Sequence, residues 1–517
     1  MSTETMQNRI EALRRQRERI VAGGGREKIE KQHSQGKLTA RERIAELTDP
    51  GSFRETGMFA QHRATLLGME GAVLPADGVV TGRGAVLGRL VHLASQDFTV
   101  AGGSAGEVHC DKVAAAMGLS LKTGTPFIFI NDSGGARVQE GIDSLNGYAK
   151  IFFTNVLLSG VVPQITVIAG PCAGGAVYSP AITDFVIQTR AARMFITGPN
   201  VIQEVTGETV TAEQLGGPET HMRHSGVTHF IAEDDRHALF LTKKLLSFLP
   251  SNNSEVPPEV PTDGNVDDNP ELTDIVPLDG KKGYDVRQVI ANIVDAGDFL
   301  EIQAAYATNV VIGFGRVVGR TVGVVANQPM VLSGVLDINA SDKAARFVRF
   351  CNAFNIPLLT LVDVPGFLPG IQQEFNGIIR HGAKLLFAYS AATVPKVTIV
   401  LRKAFGGGYI AMCSKGLGAD RVFAWPSAEV AVMGAEGAVD IVMHREIAAA
   451  EDKRTKRDEL IEHYRDTFSN PYVAAARQYV DDVIEPAATR AAVAYALDEI
   501  SDKRELRPPK KHGLIPL

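Results

Sequence analysis

The strongest constraint on the fold is a repeat that runs along most of the chain. Gly82, Gly84, Gly88 and Arg89 recur as Gly313, Gly315, Gly319 and Arg320, each 231 positions later (313 − 82). Asp111, Lys112, Pro126, Asp132 and Gly135 recur at the same shift as Asp342, Lys343, Pro357, Asp363 and Gly366. One residue further in register, at 232 (407 − 175), Pro163 meets Pro395, and Gly174 and Gly175 meet Gly406 and Gly407. An ordered set at a shift that barely drifts marks a duplicated domain. The 517 residues exceed what one core holds, so at least two domains are required. The run from Ser251 to Glu271 is rich in Pro, Asn and Asp, which separates domains 1–255 and 272–517 with residues 256–271 as linker.

Each copy repeats one local grammar. Two strands pair as a hairpin and are followed by a helix, an apolar strand, a Gly-rich turn, a second helix, a second apolar strand and a second Gly-rich turn. The apolar strands are PFIFI and QITVIAG in the first copy, PLLTLV and KVTIVL in the second. Continuous β-branched runs alternating with helices predict a buried, largely parallel sheet and an α/β fold. Residues 1–48 read as charged helices that pack on a neighbouring element or subunit.

Composition narrows the function class. Hydrophobic residues make up 45% and charged residues 22%, which suits a globular protein with a large core. A net charge of −6 supplies no attraction for nucleic acid or an acidic membrane surface. No apolar run reaches the roughly 18 residues of a membrane span. The N-terminal MSTETMQNRIEALRRQRERI lacks the apolar core of a signal peptide and is too acidic for a transit peptide, so a cytoplasmic location is expected. Cys110, Cys172, Cys351 and Cys413 are scattered and read as reduced and mostly buried. His221, His224 and His229 match no established metal spacing, so no metal site is assigned.

Four turns stand out because each follows a buried strand and leads towards a helix: DSGGAR (Asp132 to Arg137), GPCAGGA (Gly170 to Ala176), DVPGF (Asp363 to Phe367) and AFGGGY (Ala404 to Tyr409). Glycine there lets backbone approach a ligand and turn its N–H groups outward, as an oxyanion hole requires. Steric preference for glycine at strand-to-helix turns is the competing explanation. Recurrence of both turns in both copies favours function, since two holes suit a reaction with two developing oxyanions. GRGAVLG and GFGRVVG resemble a dinucleotide fingerprint but carry one residue too many and lead into strands; they read as hairpins. Neither a phosphate-binding G-x-x-x-x-G-K-[ST] loop nor a G-x-S-x-G nucleophile is present, and Ser133 and Ser179 are expected to satisfy local backbone groups.

At these residues the sequence closely resembles the carboxyltransferase subunits of biotin-dependent acyl-CoA carboxylases and transcarboxylases, with two crotonase-like (ClpP/crotonase superfamily) domains. The resemblance runs through EKQHSQGKLTARER, SQDFTVAGGSAGE, NDSGGARVQEG, GPCAGGAVYSPAITDF, TGETVTAEQLGG, DVPGFLPG, RHGAKLLFAYS, RKAFGGGY and PPKKHGLIPL. It implies that the N-terminal domain binds acyl-CoA, propionyl-CoA or methylmalonyl-CoA above others, through Gly134, Gly135, Ala136, Ala173 and Ala176. It places Gly174 and Gly175 on the thioester oxygen. The C-terminal domain would bind biotin through Gly366, Phe367, Phe405 and Gly406, with Gly407 and Gly408 on the ureido oxygen. Carboxybiotin would release CO2 beside the substrate, and the biotin enolate left behind would remove the α-proton of the thioester, whose enolate captures CO2.

Biotin would arrive in trans on a carrier protein, since no AMKM-like biotinyl motif occurs in the chain. The further partners implied are a biotin-carboxylating or second carboxyltransferase subunit, and five more copies in a homo-hexamer of two stacked trimers. The half-reaction is common to carboxylase, transcarboxylase and decarboxylase, and all three remain open. Gly408 stands where Ala or Ser is common in the family, and Ile410 where propionyl-CoA carboxylases often carry Asp, which points to Ile410 in acyl-chain preference. A crotonase-type hydratase or isomerase would need a carboxylate pair, for which Glu140 and Asp143 are the candidates, and would leave the second glycine constellation idle.

Overall fold

The duplicated sequence folds as a duplicated sheet. The computed structural model describes residues 5–517, and the chain divides into two compact units between Glu255 and Val256. In the first unit the strands are β1 (Arg54–Thr56), β2 (Val79–Val86), β3 (Arg89–Gln96), β4 (Phe127–Ser133), β5 (Gln164–Ala173), β6 (Phe185–Thr189), β7 (Arg193–Phe195) and β8 (Phe230–Ala232). They lie in the order β1-β2-β3-β4-β5-β6-β8, with β7 against the end of β5. β1, β2 and β3 pair antiparallel and all later neighbours pair parallel.

The second unit reproduces this with β9 (Leu300–Ile302), β10 (Val310–Val317), β11 (Arg320–Asn327), β12 (Leu358–Val364), β13 (Lys396–Phe405), β14 (Arg421–Ala424), β15 (Glu429–Ala431) and β16 (Asp482–Val483). The order is β9-β10-β11-β12-β13-β14-β16, with β15 against the end of β13. Residues 256–271 form no helix or strand; Val260 N–H donates to Gly319 O and Asn269 N–H to Ala487 O, which ties this stretch to the second unit.

The helices of the first unit that matter here are α1 (Met6–Val21), α2 (Arg26–Ser34), α3 (Ala40–Leu47), α4 (Glu107–Thr123) and α5 (Ile142–Leu158). α1 buries none of its side chains. α3 starts at a capping box of Thr39 and Glu42 and turns Ala40, Arg43, Ile44 and Leu47 inward.

The structure explains the recurring residues. Both hairpins turn through two left-handed residues, Leu87–Gly88 and Val318–Gly319, as two-residue hairpins require. Gly82, Gly84, Gly313 and Gly315 lie inside β2 and β10 instead. A Cβ at Gly82 would run into Arg54 O of the neighbouring strand, and one at Gly313 into Leu300 O. Lys112 and Lys343 are buried and donate to carbonyls at the foot of each hairpin: Ala76 O (2.6 Å) and Val79 O for Lys112, Tyr306 O (2.7 Å) and Val310 O (2.7 Å) for Lys343. Those carbonyls lie beside left-handed residues, Ala76 and Asp77 in one unit and Gln303 and Ala307 in the other. Each ammonium gathers the carbonyls of a turn that the backbone alone does not stabilise.

β5 and β13 run further than the sequence pattern predicts. Gly170 to Ala173 and Arg402 to Phe405 continue the strands because β7 and β15 pair with them. The turns proper therefore begin at Gly174 and Gly406.

Candidate active site

Two turns meet in each unit. In the first, β4 ends at Asp132 and Ser133 in a register shift against β5. Asp132 is buried with Lys37 (Nζ to Oδ2 2.7 Å) and Arg43 (Nη1 to Oδ2 2.9 Å) on its carboxylate. The chain then turns through Gly134 and Gly135. Gly134 N–H donates to Gly102 O, Gly135 N–H to Ser133 Oγ, and Arg137 N–H to Ala105 O. Ala105 N–H in turn donates to Gly135 O, so the turn is pinned on both sides of Ala136, and the Ala136 N–H is the donor it leaves over. A Cβ on Gly135 would lie 2.7 Å from Ala173 O, so this turn rests directly on the end of β5.

There the chain enters a short 3-10 helix, Gly174–Val177. The leading N–H groups of a helix have no intrahelical acceptor, which leaves those of Gly174 and Gly175 pointing out of the turn. Gly174 needs to be glycine, with φ +62°. Gly175 does not: its φ is ordinary, and an added Cβ would only touch the Tyr148 ring at 3.5 Å.

The second unit repeats the arrangement. Leu336 N–H donates to Gly366 O and Leu368 N–H to Leu336 O, leaving Phe367 N–H as the counterpart of Ala136. The helix Gly406–Ala411 follows β13 and opens with Gly406 at φ +55°. A Cβ on Gly408 would meet Gly366 Cα at 2.8 Å, which brings the two turns together, whereas one on Gly407 would only touch the Phe367 ring at 3.6 Å. Gly407 is exposed, Phe405 is buried, and Ile410 is 47% exposed and so is not a core residue.

These facts separate steric from functional glycines. Gly174, Gly406, Gly135 and Gly408 are required by backbone angle or close approach. Gly175 and Gly407 have no such requirement, yet both keep an N–H at the mouth of a turn. Together with Ala136 and Phe367 they present outward N–H groups, the kind of donor an oxyanion hole uses. The N–H groups of Gly134 and Gly135 are engaged within the turn, and the two residues hold Ala136 in place.

The other candidates resolve as follows. Arg137 is buried and bonds Asp77 Oδ1 and Glu140 Oε1, each at 2.6 Å, while Glu140 also accepts Glu107 N–H. Burial raises the pKa of Asp77 against the pull of Arg137. Glu140 is thus tied into an ion cluster and Asp143 lies exposed, so they form no carboxylate pair of the hydratase kind. Ser133 satisfies the backbone as expected, donating to Gly103 O at 2.7 Å; the buried Ser179 Oγ, contrary to expectation, makes no hydrogen bond. All four cysteines are buried. His221 bonds Met194 O, and the ring of His229 accepts Val186 N–H. Among the described residues no helix is long and apolar enough to cross a membrane.

No local sequence pattern points to Lys37, Arg43 or Tyr148 as neighbours of these turns. Lys37 and Arg43 stand 95 and 89 positions from Asp132, beyond any local pattern.

Comparison with known proteins identifies the family. The model of the carboxyl transferase domain family matches residues 31–515. The methylmalonyl-CoA carboxyltransferase 12S subunit of Propionibacterium freudenreichii subsp. shermanii is 65% identical over 512 residues, covering 99% of this chain and 98% of its own. The propionyl-CoA carboxylase beta chain of Saccharopolyspora erythraea is 55% identical over 527 residues, covering 99% and 96%. A solved transcarboxylase 12S structure, a hexamer with methylmalonyl-coenzyme A and methylmalonic acid bound, superposes with a TM-score of 0.98 at 65% identity, covering 100% of this chain and 99% of that one. The chain belongs to the carboxyl transferase family. It is a carboxyltransferase built from two crotonase-like domains.

Proposed function

We propose that the chain moves a carboxyl group between biotin carried on a partner protein and a short-chain acyl-CoA, propionyl-CoA and methylmalonyl-CoA being the pair. The observation that carries this reading is the twice-built turn in which Gly175 and Gly407 keep an outward N–H without a steric reason to be glycine. The first unit holds the acyl-CoA thioester: Ala136 and Gly175 donate to its carbonyl oxygen, with Gly174, Gly134, Gly135, Ala173 and Ala176 shaping the turns. The second unit fits a urea ring, whose oxygen would meet Gly407 and Phe367 N–H, with Gly408, Gly406, Gly366 and Phe405 forming the cradle. Biotin, when bound, supplies the carboxyl group and accepts it back.

The chain's own contribution is electrostatic. Fixed N–H dipoles favour negative charge on the thioester oxygen in one unit and on the urea oxygen in the other, so no side-chain base is required. Support for a homo-hexamer, in which one subunit's first unit serves another's second, comes from the 12S relative described as a hexamer. A cytoplasmic setting, with a biotin carboxyl carrier and a biotin-carboxylating or second carboxyltransferase subunit, completes the reading.

The test is carboxyl exchange between methylmalonyl-CoA and biotin with purified protein. Gly175→Val and Gly407→Val should each lower transfer about 10²–10³-fold, the cost of one oxyanion donor. Gly407→Val should also abolish decarboxylation of carboxybiotin in the absence of acyl-CoA, which Gly175→Val should spare. Full transfer in both folded variants would refute the two-hole reading.

A further inference from the structure

The ring of Tyr148 faces Gly175 at a spacing that would just admit a Cβ on the glycine, and the arrangement has a particular construction. Tyr148 belongs to α5, is 4% exposed, and places Cδ2 and Cγ at 3.5 and 3.7 Å from where a Gly175 Cβ would be. The residue before it, Gly147, lies so close to α4 that a Cβ would approach Cys110 Sγ at 2.9 Å, which seats α5 on α4 and leaves the Tyr148 ring little room to withdraw. Phe152 stacks on the Tyr148 ring at 5.9 Å between centroids and meets Tyr178 edge-on at 6.0 Å, so the ring is packed against residues on α5 and just beyond Gly175. The phenol hydroxyl is buried beside the Ser133 hydroxyl without a well-aligned hydrogen bond. Its polar neighbours are the Cys110 and Cys172 thiols and Ser133, the residue whose Oγ accepts Gly135 N–H. One side chain therefore faces both turns of the first unit.

A buried hydroxyl with so poorly aligned a partner costs stability, so polar pairing contributes little at this position. The ring is what the geometry uses. Gly175 has no side chain of its own to fix its place, and the donor it carries works only if it sits within a fraction of an ångström of the developing oxyanion.

We propose that Tyr148 is a positioning residue for the thioester side of the reaction, its ring holding the Gly175 turn in register with the Ala136 turn. The inference rests on the oxyanion-hole reading above. In the second unit the backing ring of Gly407 comes from Phe367 in the opposite turn, so loss of Tyr148 should leave the biotin side untouched.

The experiment compares Tyr148→Leu and Tyr148→Phe in the full-length protein. Tyr148→Leu should lower kcat for carboxyl exchange about 10²-fold through misplacement of the donor, with KM for acyl-CoA and carboxybiotin decarboxylation unchanged. Tyr148→Phe should restore kcat to the wild-type level and raise the melting temperature. A folded Tyr148→Leu with wild-type kcat, or one that loses the biotin-side reaction in parallel, overturns the inference. If Tyr148→Leu does not fold, Phe152→Leu withdraws the support behind the ring, and an unchanged kcat there overturns it equally. Failure of the wild type to exchange carboxyl groups would sink the functional reading instead, whereas an active Tyr148→Leu beside an inactive Gly175→Val would sink this inference alone.

Discussion

Asp132 and Asp363 occupy the same place in the two units, yet they are neutralised in different ways. Asp363 takes its counter-charge from Arg402 on the adjoining strand, whose guanidinium also binds Pro277 O, Asp279 O and Lys282 O and lies over the Tyr284 ring. The first-unit equivalent of Arg402 is Gly170, where a Cβ would run into Asp132 Oδ1 and come within 2.7 Å of Lys37 Nζ. The space that Arg402 fills in one unit is filled in the other by Lys37 and Arg43 from the N-terminal segment. Arg43 also reaches Asp235 at 2.8 Å and Ala169 O. Other supports differ as freely: Tyr148 faces Gly175 where Phe367 faces Gly407, and Ala176 follows the one where Gly408 follows the other. What the units share is the course of the backbone, including a side-chain amide at the end of the preceding strand (Gln96 in one, Asn327 in the other) that accepts the aspartate's N–H. Shared main chain with rebuilt side chains is the expected outcome if the reactive groups are backbone N–H donors.

The comparison can be broken at its counter-charges. Arg402→Met removes the guanidinium that pairs with Asp363 and should cost about 3–5 kcal/mol of unfolding free energy, the penalty of breaking a buried ion pair. Burial already raises the pKa of Asp363 against the opposing pull of Arg402, so the carboxyl should take up a proton more readily in this variant. Lys37→Met leaves Arg43 on Asp132 and should cost only about 1.5–3 kcal/mol, the worth of a hydrogen bond to a charge. Denaturant unfolding of the two variants checks this. Equal losses would mean that the first unit does not share its counter-charge as the geometry indicates.

Acid provides a second contrast. His109 is buried, its Nδ1 donating to Asp77 O at 2.9 Å and its Nε2 accepting from Gln96 Nε2 at 3.2 Å, a pairing that fits only the neutral ring. Burial, reinforced by Arg137, lowers its pKa from 6.5 to about 3. The equivalent residue in the second unit is Ala340. Between pH 6.5 and about 3 the unfolded chain binds a proton that the folded first unit refuses. Stability from this residue is therefore intact above pH 6.5 and lost on acidification, by up to about 1.4 kcal/mol per pH unit. His109→Gln should flatten the pH dependence of unfolding between pH 4 and 6. An unchanged slope would assign acid sensitivity elsewhere.

Much of this architecture was legible in the sequence because duplication leaves its mark at positions the backbone constrains. Gly174 and Gly406 recur because of their φ, Gly82 and Gly313 because a neighbouring strand allows no Cβ, and Lys112 and Lys343 because each gathers the carbonyls of a turn. The unreadable part lies where the copies were supported differently. Nothing in GKLTARER announces that its Lys and Arg cross some ninety residues to Asp132, or that a glycine in β5 makes room for them. The extension of β5 and β13 was hidden for a related reason: Gly170 and Pro171 look like a turn until β7 is there to pair with them.

The smallest expected effect concerns the residue one turn past Gly175 and Gly407. Tyr178 and Ile410 are equivalent in the duplication and similarly exposed, at 46% and 47%. Tyr178 leans on Phe152 and belongs to the support of its own turn, whereas Ile410 presents a β-branched, apolar side chain two residues beyond Gly408. An apolar wall favours contact with a short alkyl group, while a carboxylate there would have to stay hydrated or find a partner. Ile410→Asp should therefore shift the ratio of kcat/KM among acetyl-, propionyl- and butyryl-CoA by about 10-fold, the scale of one methylene in an apolar pocket. The exposed position predicts little change in melting temperature. A shifted ratio with unchanged stability would establish that Ile410 faces substrate in the assembled enzyme, as its equivalent Tyr178 need not; unchanged ratios would leave acyl preference to the first unit.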